Sequence, residues 1–135
     1  MAYKIIDIEG IGEAYAAKLE AAGVKTPEDL LAACASAKGR KEMAEKTEIS
    51  EKLILRWTNH ADLFRIKGVG PQFAELLEAA GVDTVKELRH RVAANLQAKM
   101  EEVNAEKNLV NRVPSESELQ KMIDEAKELE AVMTY

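Results

Sequence analysis

The sequence predicts an all-α fold, a compact bundle of short helices made from two tandem repeats related by a pseudo-twofold. Three observations predict it. Apolar residues fill 47% of the 135 positions, charged residues 32% and aromatics only 4%, the balance of a folded protein with an aliphatic helical core. A glycine turn, Ile8-Glu9-Gly10-Ile11-Gly12-Glu13, returns 58 residues later as Ile66-Lys67-Gly68-Val69-Gly70-Pro71. Over Ile8–Leu30 and Ile66–Leu88, 12 of 23 aligned positions are identical, which marks a duplication rather than a chance echo. The expected organisation is one domain over 1–135, with a first half (1–63) carrying turn one and a second half (64–135) carrying turn two and a C-terminal helix.

The elements follow from local signals. Residues 3–8 are too short for a useful helix and form an extended or single-turn lead-in. Ala14 to Ala22 reads as a helix stopped by Gly23 at the C′ position. Thr26-Pro27-Glu28-Asp29 is a helix start, with Thr26 as N-cap, Pro27 at the first helical position and acids in the first turn. That helix turns Leu30, Leu31 and Cys34 inward and runs to about Gly39, where Lys38, Arg40 and Lys41 flank a loop; Arg40 to Lys46 forms another short helix. Ser50 caps a longer helix with Leu53, Ile54, Trp57, Ala61 and Phe64 at spacings of three and four. In the second half Pro71 opens a helix that packs Phe73, Leu76 and Leu77 and stops at Gly81. Thr84 caps Val85 to about Arg91. Ala94 to Glu106 carries Leu96, Met100 and Val103, Pro114 breaks the chain, and Ser115 with Glu118 forms a capping box for a last helix. Leu53, Trp57 and Leu63 correspond to Leu119, Ile123 and Leu129 at a common offset. The expected arrangement has the Trp57 helix serving turn two and the C-terminal helix folding back to serve turn one.

Composition narrows the function classes. The single cysteine, Cys34, excludes an internal disulfide and points to a reduced, intracellular chain. No apolar run approaches ~18 residues and the N-terminus lacks a basic-then-apolar signal pattern, so a soluble, cytoplasmic protein without a membrane partner is expected. The net charge of −5 counts against an extended nucleic-acid surface, but its distribution matters more. From Val113 onward six acids face two bases, whereas the preceding residues are nearly balanced.

Two glycines around one apolar residue make a tight turn whose amides stay uncovered. The following helix points its unpaired N–H groups the same way, a plausible seat for a phosphate. Apolar-x-Gly-apolar-Gly between two helices resembles the helix-hairpin-helix superfamily. Asp62-Leu63-Phe64-Arg65-Ile66-Lys67-Gly68-Val69-Gly70 matches that pattern closely, and Ile8-Glu9-Gly10-Ile11-Gly12 matches without an adequate preceding helix. The whole chain is similar to an uncharacterised bacterial family of tandem helix-hairpin-helix domains. The likeness is carried by Leu19, Ala22-Gly23, Thr47 to Ser50, Leu63-Phe64-Arg65-Ile66 and the Pro114 break. The resemblance implies phosphate contact without base reading, through Gly68, Val69 and Gly70 at turn two and through Gly10, Ile11 and Gly12 at turn one.

The flanks distinguish the two turns. Asp7, Glu9 and Glu13 border turn one and repel a phosphate; the same acids could favour a cation, though no spacing here specifies a metal. Turn two has Arg65 and Lys67, with Lys86, Arg89 and Arg91 as further members of a basic face. The structural alternative is that each turn only lets two helices meet, with the cations on a solvated surface. His60 and His90 lie at no ligand spacing and read as core-edge residues, Cys34 as a small buried apolar residue and Trp57 as a core anchor. No general acid, base and nucleophile can be assembled, so no enzyme and no cofactor are expected. The leading expectation is weak, sequence-independent DNA-backbone binding through Gly68, Val69, Gly70, Arg65, Lys67, Arg89 and Arg91. The alternative is a protein-interaction or scaffold module using the acidic C-terminal helix or an apolar patch.

Overall fold

A computed structural model describes residues 3–135, and every regular element in them is helical. A 3₁₀ turn (Ile5–Asp7) precedes eight α-helices: α1 (Glu13–Ala21), α2 (Pro27–Cys34), α3 (Ala37–Thr47), α4 (Glu51–Leu63), α5 (Pro71–Ala79), α6 (Val85–Leu88), α7 (Ala93–Lys107) and α8 (Glu116–Glu128). None is long and apolar enough to cross a membrane. The chain divides into two units, the first running to Asp62 and taking in Val132–Tyr135, the second spanning Leu63–Ala131.

In the first unit the 3₁₀ turn is pinned by the Ile5 amide, which donates to the Lys25 carbonyl at 2.9 Å. Thr26 caps α2 through the Asp29 amide at 3.1 Å, and Ser50 caps α4 through Leu53 at 3.2 Å. α1 ends in a Schellman motif: Gly23 takes φ +90°, its amide donates to Glu20, and the Val24 amide reaches back to the Leu19 carbonyl at 2.9 Å. Leu19, Leu30, Ile54 and Trp57 are fully buried.

The passage from α2 to α3 differs from the sequence expectation. α2 stops at Cys34, Ser36 caps α3 by accepting from the Gly39 amide at 3.1 Å, and Gly39 lies inside α3 rather than in a loop. The reason is close approach: a Cβ on Gly39 would stand 2.1 Å from the Ala33 carbonyl oxygen. Arg40 is not a surface cation either. Only 5% exposed, it donates to the carbonyls of Cys34 (3.0 Å), Ala35 (2.9 Å) and Thr134 (2.7 Å), joining the α2 end to the last residues of the chain. Its guanidinium also lies 5.5 Å from the centre of the Tyr135 ring.

The second unit uses the same local devices. Pro71 opens α5, Thr84 caps α6 through the Glu87 amide at 3.2 Å, and Gly81 at φ +96° ends α5 with the Val82 amide bonded to Leu77. α6 is shorter than expected and gives way after Leu88 to successive turns. Asn108 closes α7 in the left-handed region, and the Asn104 side chain holds the following turn through the Leu109 and Val110 amides and the Val110 carbonyl. The Ser115–Glu118 capping box starts α8. α8 packs on α7 and α6, and α5 on α7, around a core that includes Ile66, Leu77, Leu88, Met100, Leu119 and Ile123.

Candidate functional site

Each glycine turn is built in the same way within its own unit. At turn one the Ile11 amide donates to the Ile8 carbonyl at 3.1 Å, and at turn two the Val69 amide donates to Ile66 at the same distance. The residue between must take positive φ, which only glycine does without strain: Gly10 at +94°, Gly68 at +91°. The flanking apolar residues Ile8, Ile11, Ile66 and Val69 are buried, so each turn is anchored from below and its glycine faces outward. The second glycine plays another part. Gly12 and Gly70 are extended N-caps of α1 and α5, with no side chain to cap the first-turn amides.

What lies under each turn reverses the expected pairing. Trp57 of α4 sits beneath turn one, its indole Nε1 3.3 Å from the position of a Gly10 Cβ; the Tyr15 ring packs on the same indole at 5.1 Å and 60°. Turn two is served by α8, with the Met122 methyl 3.4 Å from a Gly68 Cβ and Glu125 reaching the turn's backbone. α4 and α8 share apolar positions at a common offset in the sequence, and each follows its turn in the chain and packs back onto it.

At turn two Lys67 and Gly68 are exposed, Gly70 is half-buried and Val69 is buried. The Val69 side chain is therefore an anchor, and its amide is engaged with Ile66. The expected basic face is largely committed to the chain itself. Arg65 donates to the Glu130 carbonyl at 2.6 Å. Arg89 donates through Nε to the Ala126 carbonyl at 3.3 Å and through Nη2 to the Leu129 carbonyl. These two guanidinium groups cover the carboxyl end of α8, where unpaired carbonyls and the helix dipole favour a cation. Arg91 bonds Glu87 at 2.7 Å and the Gly81 carbonyl at 2.8 Å, holding the α5 stop against α6. Lys67 and Lys86 are the exposed members of the set.

An acid absent from the sequence reading of this site completes it. Both carboxylate oxygens of Glu125 stand 3.3 Å from the Lys67 amide nitrogen. They share a surface cleft of about 330 Å³ lined by Lys67, Glu118, Lys121, Met122 and Glu125. Glu118 is turned to Arg112, with which it forms a two-pronged pair at 2.9 and 3.0 Å; that pairing, with the Ser115 bonds, holds its carboxyl down at about 2. Glu125 is thus the carboxylate of the cleft that reaches the turn backbone. The α8 spacing Glu118, Met122, Glu125 was the available signal, since these residues share one helix face.

Turn one presents a different surface. Asp7 is engaged with the Lys4 amide at 2.8 Å. Glu9 is half-buried and Glu13 is exposed in the first turn of α1. The Trp57 Nε1 beneath it is buried without a hydrogen-bond partner. His60 is fully buried rather than at the core edge, and His90 is exposed. Cys34 is buried, and desolvation pushes its thiol up to about 11 against the lowering effects of Arg40 and a Thr58 hydrogen bond.

Among the described residues no group of three or more His, Cys, Asp or Glu side chains is placed to hold a metal. No curated protein and no solved structure matches the chain. A family model does, over residues 9–129, which include the glycines of both turns and all eight α-helices. The chain belongs to the family described as a domain of unknown function, DUF4332.

Proposed function

We propose that this protein makes weak, sequence-independent contacts with the DNA phosphate backbone through turn two, as a helix-hairpin-helix module of an intracellular protein, without catalysis. The observation that carries the reading is the outward-facing Gly68 at φ +91°, with exposed Lys67 beside it and the uncapped first turn of α5 behind it. The uncapped first-turn amides of α5 and the exposed Lys67 suit a phosphate oxygen and offer nothing that distinguishes bases. With Arg65, Arg89 and Arg91 bonded to the chain's own carbonyls and to Glu87, few charges remain for phosphates. Binding is therefore expected to release on the order of one or two counterions, from Lys67 and Lys121. Fluorescence anisotropy of labelled duplex and single-stranded DNA over a salt series tests this, with Lys67→Glu as the comparison. The reading predicts salt-sensitive binding that Lys67→Glu abolishes while its circular dichroism is unchanged; no binding by wild type at low salt refutes it.

A second reading, a protein-interaction module, is favoured by a specific observation. Glu125 of α8 reaches the backbone of turn two and Glu118 lines the same cleft, which suits a basic protein segment better than a polyanion. Loss of DNA binding together with salt-sensitive binding of a basic peptide would select this reading.

A further inference from the structure

The Glu125 carboxylate lies against the backbone of turn two. Its two oxygens are equidistant, 3.3 Å, from the Lys67 amide, the amide that immediately precedes Gly68 at the tip of the turn. That spacing is at the long edge of an N–H···O bond, so the carboxylate is held near the turn by charge and by its place on α8 more than by one strong bond. The neighbouring groups leave it in that role. Glu118 is paired with Arg112, Met122 packs under Gly68, and Lys67 and Lys121 line the same cleft with exposed side chains.

We infer that Glu125 is an affinity-setting residue for the phosphate reading of turn two, a built-in competitor that a nucleic-acid phosphate must displace or tolerate. The inference rests on that reading. A phosphate oxygen and a carboxylate oxygen compete for the same N–H direction, and the two negative charges would lie within about 5 Å of each other. A single displaced charge at that distance changes affinity about fourfold even with the dielectric of bulk water, and more where the turn excludes solvent. A free phosphate gains only what Glu125 already supplies. A continuous backbone also meets Lys67 and Lys121, so the carboxylate favours polyanions over small anions.

The test compares wild type with Glu125→Gln, which keeps the side-chain shape and removes the charge. Glu128→Gln serves as the control, making the same change in net charge at an exposed position of α8. Binding of a labelled DNA duplex is expected to tighten about four- to tenfold in Glu125→Gln and less than twofold in Glu128→Gln. Inorganic phosphate, followed through the Lys67 and Gly68 amide resonances, is expected to bind Glu125→Gln detectably and wild type not at all. Equal tightening in both variants, or unchanged affinity in Glu125→Gln beside a wild type that binds, overturns the role of Glu125 and leaves the phosphate reading standing. Failure of wild type and Glu125→Gln alike to bind duplex at low salt overturns both.

Discussion

Gly39→Ala is expected to destabilise the protein, the reverse of what helix propensity alone gives. Gly39 lies inside α3, where alanine would ordinarily be favoured by about 1 kcal/mol. Here the new Cβ would stand 2.1 Å from the Ala33 carbonyl oxygen, 3.2 Å from the Ala33 carbonyl carbon and 3.3 Å from the Ser36 Oγ. The first contact is with backbone at the end of α2, and relief requires α2 and α3 to separate by on the order of 1 Å, as a normal carbon–oxygen contact needs roughly 3.2 Å or more. Separation also strains the Arg40 bonds to Cys34, Ala35 and Thr134. Overpacking of this kind costs about 1–3 kcal/mol beyond the propensity gain, and the buried guanidinium raises the upper end, because its hydrogen bonds are charge-assisted. A net loss of about 1–3 kcal/mol is expected, a large part of the ~5–15 kcal/mol that stabilises a domain. Urea unfolding followed by circular dichroism at 222 nm measures it as a lower midpoint with little change in slope. A stability equal to or above wild type would refute the close α2–α3 approach.

Gly10→Ala places a Cβ at φ +94° and 3.3 Å from Trp57 Nε1; it is expected to lower stability by about 1–2 kcal/mol and to change the emission of the single tryptophan. Gly12→Ala, in extended backbone with nothing within 4 Å, is expected to lose less than about 1 kcal/mol; equal effects would contradict the two roles assigned to the glycines. Cys34, buried and with its thiol raised to about 11, is expected to resist a thiol-specific disulfide reagent at pH about 8 and to react at the rate of unfolding as urea is added; fast labelling of the native protein would contradict its burial. Glu118 has its carboxyl lowered to about 2, first by Arg112 and then by Ser115. A depressed folded value stabilises above the unfolded value, near 4.5, and that contribution fades as pH falls toward 2. Glu118→Gln is expected to flatten the acid loss of stability in that window, and an unchanged acid limb would show that the Arg112 pair is not maintained in solution.

What the sequence revealed was what a few neighbouring residues determine. Thr26, Ser50, Thr84 and Ser115 all cap as expected, Gly23 and Gly81 end their helices in the left-handed region, and the apolar residues of both turns are buried, because each signal lies within about six residues of its effect. Gly39 was misread as a stop, since the same residue type serves either to end a helix or to admit a neighbouring backbone, and only the position of Ala33 decides. Arg40 looked like a loop cation because its Thr134 partner is 94 residues away. Arg65 and Arg89 showed their charge but not the open end of α8 beside them. The common offset between the apolar positions of α4 and α8 carried no information on which turn each helix covers. That gap hid Glu125, which appeared only as part of the acidity of the last helix.

The most direct test of the phosphate reading is to follow the amide resonances of the ¹⁵N-labelled protein as a short DNA duplex is added at low salt. The account predicts saturable shifts centred on Lys67, Gly68, Gly70 and Gln72, reversed by added salt, with the Gly10–Gly12 amides little changed behind their acids. Shifts that leave turn two untouched, or none at all at low salt, would contradict it.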